Sequence, residues 1–247
     1  MNELAGKRAL VTGGSRGIGA AIALALAERG ADVAISYERA ADRAQGIVEQ
    51  IEVMGRQAIA IQADAADPEA NRRLVDEAVR ALGGLDILVN NAGAFRHGTI
   101  AELSLDDINT LLHVNIRGTV LTTQAAIPHL KSGGRVITIG SNIAERVPFT
   151  GGFTLYALTK SAHLAFTRGL ARELGAANVT VNLVQPGPIE TELNPAQGSN
   201  ADLNRSLMAL PRYGTTEELA GVVAFLAGPA ASFVTGSVVT ADGGFNA

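Results

Sequence analysis

Short apolar runs alternate with longer amphipathic segments along almost the whole chain. Seven of these runs predict β-strands, at residues 8–12, 33–37, 58–63, 87–90, 135–139, 179–185 and 237–240. Because the runs are apolar at nearly every position rather than at alternate ones, we expect strands that helices cover on both faces.

The segments between the runs have the period of amphipathic helices, at residues 17–29, 42–54, 68–82, 105–131, 153–174 and 217–227. Strict alternation of strands and helices predicts right-handed crossovers and a parallel, doubly wound α/β sheet of about seven strands. No proline- or serine-rich linker divides the 247 residues, so we expect a single domain over residues 1–247.

Composition narrows the function classes. The chain is 47% hydrophobic, enough for a substantial core, and its net charge of −4 without a basic run argues against a nucleic-acid partner. It contains no cysteine, and its four histidines show no metal-ligand spacing. The N-terminus lacks the features of a secretory signal, and no apolar stretch is long enough to cross a membrane. These features predict a soluble, cytoplasmic protein without a metal site.

One connection is much longer than the others. It runs over residues 190–213 and contains Pro195, Gly198 and Pro211, which interrupt regular structure. Long excursions in compact domains are often functional, so we expect a substrate lid here, with a passive insertion as the alternative.

A glycine-rich turn follows the first predicted strand, with Gly13, Gly17 and Gly19 spaced G-x3-G-x-G. Glycines permit a tight turn, and the following helix N-terminus offers free N–H groups and a positive dipole end to a pyrophosphate. A closely packed helix–strand junction without a ligand is the alternative. The position of the turn favours dinucleotide binding.

The end of the second predicted strand bears on the choice of dinucleotide. An acidic residue there binds the 2′-hydroxyl of the adenosine ribose, whereas a cation accommodates a 2′-phosphate. Tyr37 stands at the position of the acid, and Arg16 and Arg39 are placed to reach a phosphate. Glu38 either repels that phosphate or points to solvent. NADP(H) is therefore favoured over NAD(H).

Tyr156 and Lys160 lie one helical turn apart and share a helix face. A free tyrosine has a pKa near ~10, and a nearby cation lowers that pKa by stabilising the phenolate. We therefore expect Lys160 to tune Tyr156 towards general acid–base catalysis. Taken alone, the same pair also occurs on ordinary solvated helix surfaces.

Several motifs occur in order along the chain: Thr12–Gly19, Asn90–Gly93, Asn115, Ser141, Tyr156 with Lys160, and Pro186-Gly187. Together they resemble the short-chain dehydrogenase/reductase family over essentially the whole chain. The resemblance implies a Rossmann-type fold and an NADP(H)-dependent oxidoreductase that interconverts a ketone and a secondary alcohol. Residues 185–196 and 227–236 look closest to a bacterial subgroup of 3-oxoacyl-carrier-protein-reductase-like enzymes and cyclic-di-GMP-binding regulatory proteins. A nucleotide-binding regulatory function is therefore the alternative.

The resemblance also assigns catalytic roles. Tyr156 would exchange a proton with the substrate oxygen, and Ser141 would hydrogen-bond and polarise that oxygen. Lys160 would hold the nicotinamide ribose and lower the phenol's pKa, and Asn115 would organise a water relay to Lys160. Individually, Ser141 also fits a strand-end turn, and Asn115 a polar helix residue satisfied by backbone.

The cofactor contacts that the resemblance implies are Gly13, Ser15, Arg16, Gly17, Ile18, Gly19, Tyr37, Arg39, Asp64, Ala65, Asn91, Ala92, Gly93, Tyr156, Lys160, Pro186, Gly187, Ile189 and Thr191. Asp64 also fits a helix cap, and Asn90–Gly93 a simple turn. Candidate substrate contacts are Asn142, Phe149, Phe153, Leu155 and residues 190–210, mostly apolar and suited to an uncharged carbonyl compound. A homotetramer is implied, with helices 105–131 and 153–174 at one interface and helix 217–227 and the last strand at another.

Overall fold

A seven-stranded sheet forms the centre of the computed structural model, which describes residues 2–147, 151–198 and 200–247. The strands are β1 (Arg8–Val11), β2 (Asp32–Tyr37), β3 (Ala58–Gln62), β4 (Leu85–Asn90), β5 (Leu130–Ile139), β6 (Thr180–Pro186) and β7 (Val238–Ala241). Their order is β3-β2-β1-β4-β5-β6-β7, and every neighbouring pair is parallel. The predicted doubly wound parallel sheet is confirmed.

The α-helices within the described residues are α1 (Gly17–Glu28), α2 (Ala41–Val53), α3 (Pro68–Leu82), α4 (Leu105–Leu111), α5 (Thr119–Ala126), α6 (Thr154–Leu174), α7 (Ala201–Ser206) and α8 (Thr216–Ala227). A π-helix, Leu112–Gly118, joins α4 to α5. The short α7 lies inside the predicted lid and was not predicted. Each helix in these parts of the chain is too short or too polar to span a membrane.

The prediction of one helix over residues 105–131 is wrong in two respects. The π-helix interrupts it, and the chain leaves α5 after Ala126 and is already in β5 at Lys131. Pro128 accounts for the early end, because proline has no N–H to donate and its ring clashes with the preceding turn. The strand begins earlier than predicted because Leu130 already pairs with Leu85, and the irregular stretch that follows, with Gly133 at φ +86°, hides this pairing from the apolar pattern.

Helices cover both faces of the sheet in two groups. Helices α1 and α8 bury Leu26 and Val223 on one face, and α3 and α6 bury Leu74 and Leu170 on the other. Burial of each such side chain contributes about 1.5–3 kcal/mol, so the two apolar layers hold the strands in register. The strand order reverses between β1 and β4, and in sheets of this type the crevice at the carboxyl ends of those strands binds the ligand.

Candidate active site

A cleft of about 1540 Å³ opens along the carboxyl ends of the strands. It exceeds the roughly 300–1,000 Å³ of drug-sized pockets, so it has room for a dinucleotide and a second small molecule. Ser141 and every residue predicted to contact the cofactor line this cleft, namely Gly13, Ser15, Arg16, Gly17, Ile18, Gly19, Tyr37, Arg39, Asp64, Ala65, Asn91, Ala92, Gly93, Tyr156, Lys160, Pro186, Gly187, Ile189 and Thr191. Asn115 is buried behind its wall.

The glycine-rich turn uses conformations and contacts that a side chain would block. Gly13 and Gly17 have φ values of +65° and +54°, in the left-handed region that favours glycine. A Cβ on Gly19 would collide with the Gly13 carbonyl. Helix α1 begins at Gly17, and no side chain of the described residues caps it at Arg16, so its first N–H groups can bind an anion. The turn therefore fits a pyrophosphate.

Side chains at the carboxyl ends of β1, β2 and β4 fix the position of this turn. The Ser36 hydroxyl accepts a hydrogen bond from the Gly13 N–H at 2.9 Å. The Asn91 side chain donates to the carbonyls of Thr12 and Gly13, at 2.9 and 3.1 Å. In return, the Thr12 hydroxyl accepts from the backbone N–H groups of Asn91 and Ala92, both at 2.9 Å. The Asn91 side-chain amide therefore stabilises the glycine-rich turn, and the backbone of Ala92 and Gly93, which follow it, lines the cleft.

Arginines gather at the adenosine end of the cleft, beyond Tyr37. Arg16, Arg39 and Arg43 all line it, and Arg43 was not predicted. Arg39 pairs with Glu38 at 2.8 Å, so the acid that complicated the sequence prediction partly neutralises its neighbour. This end of the cleft is suited to a phosphate.

Asp64 and Ala65 line the cleft just before α3. The Asp64 carboxylate accepts from the Ala66 N–H at 2.8 Å, which closes a turn. The N-cap of α3 is Asp67, whose side chain accepts from the Glu69 N–H. The alternative of Asp64 as the helix cap is therefore wrong by three residues, because Asp67 occupies that position.

Asn115 lies in the π-helix and is 1% exposed. Its side-chain oxygen accepts from the Ala94 N–H at 2.8 Å, and its amide donates to the Ala94 carbonyl and the Thr159 hydroxyl, both at 3.0 Å. The Thr159 hydroxyl in turn donates to the Tyr156 carbonyl at 2.8 Å. Asn115 therefore links the backbone of the loop after β4 to the face of α6 that carries Tyr156.

The backbone carbonyl of Asn115 is also occupied. It accepts from the Thr119 hydroxyl at 3.0 Å and from His163 Nε2 at 2.8 Å. A carbonyl oxygen has two lone pairs, so this one has none left for a water molecule. The His163 ring is buried, and burial, together with the charge of Lys160, lowers its pKa to about 4. A relay through Asn115 remains a prediction, and it would need one of these donors to move.

Tyr156 and Lys160 share a face of α6, as predicted, but they do not form a bonded pair. The Lys160 ammonium lies 5.8 Å from the centre of the Tyr156 ring and donates to the Ile139 carbonyl at 3.0 Å. Burial raises the pKa of Tyr156 to about 12, against the opposing effect of a hydrogen bond with Ser141. Burial lowers the pKa of Lys160 to about 8. The expectation that Lys160 lowers the tyrosine's pKa is therefore wrong for this state, because desolvation dominates.

Aromatic rings form the wall beside the Tyr156 phenol. Phe95 meets the Tyr156 ring edge-on at 5.1 Å between centroids, and Phe153 lies 5.9 Å from Phe95. Asn142 also lines the cleft, whereas Leu155 is buried away from it in the core, so its prediction as a substrate contact is wrong. The candidate contact Phe149 lies outside the described residues.

The comparison with known proteins agrees with this geometry. A family model described as enoyl-(acyl-carrier-protein) reductase matches residues 13–246. The chain belongs to the short-chain dehydrogenase/reductase family. Among curated members of this family, the cyclic-di-GMP-binding biofilm dispersal mediator protein of Escherichia coli (strain K12) is 44% identical over 247 residues, 100% of each chain.

Solved structures of the short-chain dehydrogenase/reductase family superpose closely. A short-chain dehydrogenase from Burkholderia cenocepacia J2315, in complex with NADP, is 55% identical over 100% of both chains, with a TM-score of 0.98. BdcA in complex with NADPH is 43% identical over 98% of this chain and 96% of that chain, with a TM-score of 0.90. The family resemblance predicted from the motifs is confirmed.

The segment after β6 closes one side of this short-chain dehydrogenase/reductase cleft. A Cβ on Gly187 would lie 2.5 Å from Asp242, so glycine is needed where the ends of β6 and β7 approach. Ile189 pairs with Gly214 in an isolated bridge, which brings the two ends of the predicted lid together. Between them, the Tyr213 hydroxyl accepts from the Asn204 side chain at 2.8 Å. The segment is thus a closed loop with internal contacts and a narrow base.

Sequence reasoning missed several side chains of the site: Ser36, Arg43, Phe95, Thr159 and His163. His163 had a readable signal, because it lies three residues after Lys160 on the same helix face. The others act through contacts between distant segments, for which a single sequence gives no spacing rule.

Proposed function

We propose that this protein is an NADP(H)-dependent oxidoreductase that interconverts a ketone and a secondary alcohol, with Tyr156 as the general acid and base. The observation that carries the proposal is the place of the phenol. Tyr156 lies in the cleft beside Ser141 and Lys160, and the same cleft is lined by a glycine turn suited to a pyrophosphate. The nicotinamide, when bound, supplies or accepts the hydride.

Tyr156 has the protonation state that carbonyl reduction needs. With a pKa raised to about 12, the phenol keeps its proton at neutral pH and can donate it to the substrate oxygen as negative charge develops there. Ser141 hydrogen-bonds the phenol and can share the same oxygen, which polarises the carbonyl before proton transfer. The aromatic wall keeps bulk water from this proton.

Lys160 places its ammonium below the phenol, where it can bind the ribose hydroxyls of a nicotinamide nucleotide. Its pKa of about 8 leaves it mostly protonated at neutral pH but close to proton exchange. Lys160 is therefore suited to return a proton to Tyr156 after turnover. Asn115 acts as a positioning residue, because its amide holds Thr159 and Ala94 on either side of the pair.

The preference for NADP(H) rests on charge at the adenosine end. Arg16, Arg39 and Arg43 line the region beyond Tyr37, where a 2′-phosphate would lie. The two solved relatives described above are complexes with NADP and NADPH. We expect Kd for NADP+ to be lower than for NAD+.

The substrate is proposed to be an uncharged, apolar carbonyl compound that lies against the aromatic wall. Phe95 is 45% exposed within the cleft, and Leu193 of the predicted lid is 76% exposed. Contact with an aryl or aliphatic ketone would bury these apolar side chains and so stabilise the complex. The segment 190–213 is then the lid that covers it.

The test is turnover of NADPH with cyclic ketones, aryl ketones and 3-oxoacyl esters, and with an enoyl thioester, since the matching family model is described as an enoyl reductase. Tyr156→Phe should abolish ketone reduction while NADPH still binds, because the variant loses only the hydroxyl. Unchanged turnover in Tyr156→Phe would show that the mechanism is wrong. If only the enoyl thioester were reduced, the substrate would be an activated carbon–carbon double bond and not a ketone.

A second candidate function is binding of a cyclic dinucleotide. It is favoured by the similarity to the Escherichia coli cyclic-di-GMP-binding biofilm dispersal mediator protein and by the arginines at the mouth of the cleft, which match a phosphodiester. Calorimetry with cyclic-di-GMP, with and without saturating NADPH, is the test. Absence of heat at high micromolar ligand eliminates this function, and competition with NADPH locates the site in the same cleft.

We also propose a homotetramer. Exposed apolar side chains lie on the elements that the family resemblance places between subunits: Leu105 on α4, Leu158 on α6 and Phe225 on α8, at 69%, 53% and 48% exposure. Contact with another copy of the chain would remove these side chains from water, which favours association. Sedimentation velocity at micromolar concentration should give a species of four chains, and a single-chain species would exclude it.

A further inference from the structure

Glu192 of the lid reaches across the mouth of the cleft to two arginines. One nitrogen of Arg43, at the start of α2, lies 2.7 Å from both Glu192 carboxylate oxygens. Arg16, at the start of α1, lies 3.5 Å from the same carboxylate. These contacts lower the pKa of Glu192, with the Arg43 hydrogen bond as the largest cause. The lid is thereby tied by charge to the opposite wall.

The ion pairs of Glu192 occupy the arginines that would bind a 2′-phosphate. Of the arginines that line the adenosine end, Arg16 and Arg43 are held by Glu192, and Arg39 is held by Glu38. A phosphate monoester carries about −1.5 to −2 charge at neutral pH and prefers the bidentate geometry that arginine offers. Nη1 of Arg43 already donates to both Glu192 oxygens, so a phosphate that takes the Nη1–Nη2 edge of this guanidinium has to compete with the carboxylate.

We infer that Glu192 is an internal competitor for the 2′-phosphate of NADP(H), and that cofactor binding frees the lid from α2. The inference rests on the proposed use of NADP(H). NADP(H) must displace the carboxylate, whereas NAD(H), which lacks the phosphate, leaves it in place. Because the coupling is reciprocal, the Glu192–Arg43 ion pair is weaker in the NADP(H) complex than in the free protein.

The size of the effect follows from exposure. The Glu192 and Arg43 side chains are 60% and 53% exposed, so each ion pair is screened by solvent and contributes little. Loss of the competing carboxylate should therefore raise the ratio of NADP+ affinity to NAD+ affinity by about two- to tenfold. The difference should shrink at high salt, since both the tie and the phosphate contact are screened.

The experiment is isothermal titration calorimetry of NADP+ and NAD+ against the full chain, Glu192→Gln and Glu190→Gln. Glu190 is an exposed carboxylate on the same segment and has no ion pair among those found in the described residues, so it controls for a general change in charge. We expect the affinity ratio to rise in Glu192→Gln and to stay near the wild-type value in Glu190→Gln. In an Arg43→Met background, Glu192→Gln should have a smaller effect.

Two results would overturn the inference while leaving the proposed function intact. One is NADP+ binding that is unchanged in Glu192→Gln, which would mean that the carboxylate does not compete, or weaker, which would make it a clasp over bound cofactor. The other is an equal gain for NADP+ and NAD+. Failure of all variants, and of the wild-type protein, to bind NADP+ would instead overturn the proposed function together with this inference.

Discussion

Asn115→Ala should lower the stability of the protein as well as any activity. The substitution removes three side-chain hydrogen bonds, two partly buried ones with the Ala94 backbone and a buried one with the Thr159 hydroxyl. Each such bond contributes about 0.5–1.5 kcal/mol net. The free energy of unfolding should fall by about 3 kcal/mol, which for a chain of this size lowers Tm by about 6–12 °C.

Urea denaturation monitored by circular dichroism measures this loss, with Asn109→Ala as the matched control. Asn109 lies on α4, and its side chain makes no hydrogen bond in the part of the chain that the structure describes, so the control should unfold within about 0.5 kcal/mol of the wild-type protein. If Asn115→Ala were as stable as the control and yet inactive, Asn115 would take part in the reaction directly instead of holding Ala94 and Thr159 in place.

Three further substitutions test the electrostatics and packing of the site. Lys160→Met should raise the free energy of unfolding at pH 7 by about 1–3 kcal/mol and abolish turnover. The pKa of Lys160 is about 8 in the folded protein and ~10.4 in the unfolded chain, so the buried ammonium lowers stability. Urea denaturation and an activity assay measure the two effects. His163 has a folded pKa of about 4 against an unfolded value near ~6.5, so wild-type stability should fall by up to about 3 kcal/mol as pH drops through that window. Urea titrations at pH 7 and pH 4.5 should show that His163→Leu lacks this part of the fall in the free energy of unfolding. Gly187→Ala should cost about 1–3 kcal/mol, since the new Cβ meets the Asp242 backbone at 2.5 Å; unchanged stability would show that the ends of β6 and β7 can separate.

The fold was largely readable because strand burial leaves a strong pattern. Strands covered on both faces are apolar at most positions, as in the Ala-Leu-Val run of β1 and the Val-Ala-Ile run of β2. The π-helix at Leu112–Gly118 left no such pattern, since its apolar residues have the spacing of any buried helix. Its reason lies in tertiary contacts: the Asn115 side chain reaches Ala94, and its carbonyl reaches His163, both far along the chain.

The candidate site was readable where its residues are close in sequence. The Gly13–Gly19 turn and the Tyr156–Lys160 pair are local, so spacing and helix geometry were enough to bring each to the cleft. The tie between Glu192 and Arg43 joins segments 149 residues apart, and no local rule predicts it. The same applies to pKa values, because the desolvation that raises the pKa of Tyr156 depends on what the whole fold places around the phenol.

The directions of the two pKa shifts constrain how the site could work. A tyrosine with a pKa of about 12 is a proton donor at neutral pH and a poor proton acceptor, so without cofactor it favours the reductive direction of the proposed reaction. Alcohol oxidation needs the phenolate, and in the protein alone desolvation keeps the pKa of Tyr156 raised, even though the Lys160 ammonium lies 5.8 Å from the ring centre. Additional positive charge beside Tyr156 would lower its pKa. An oxidised nicotinamide ring is cationic and a reduced one is neutral, so only the oxidised cofactor supplies that charge. The acid and base forms of Tyr156 would then follow the redox state of the cofactor in the cleft, which gives each direction of the proposed reaction the protonation state it requires.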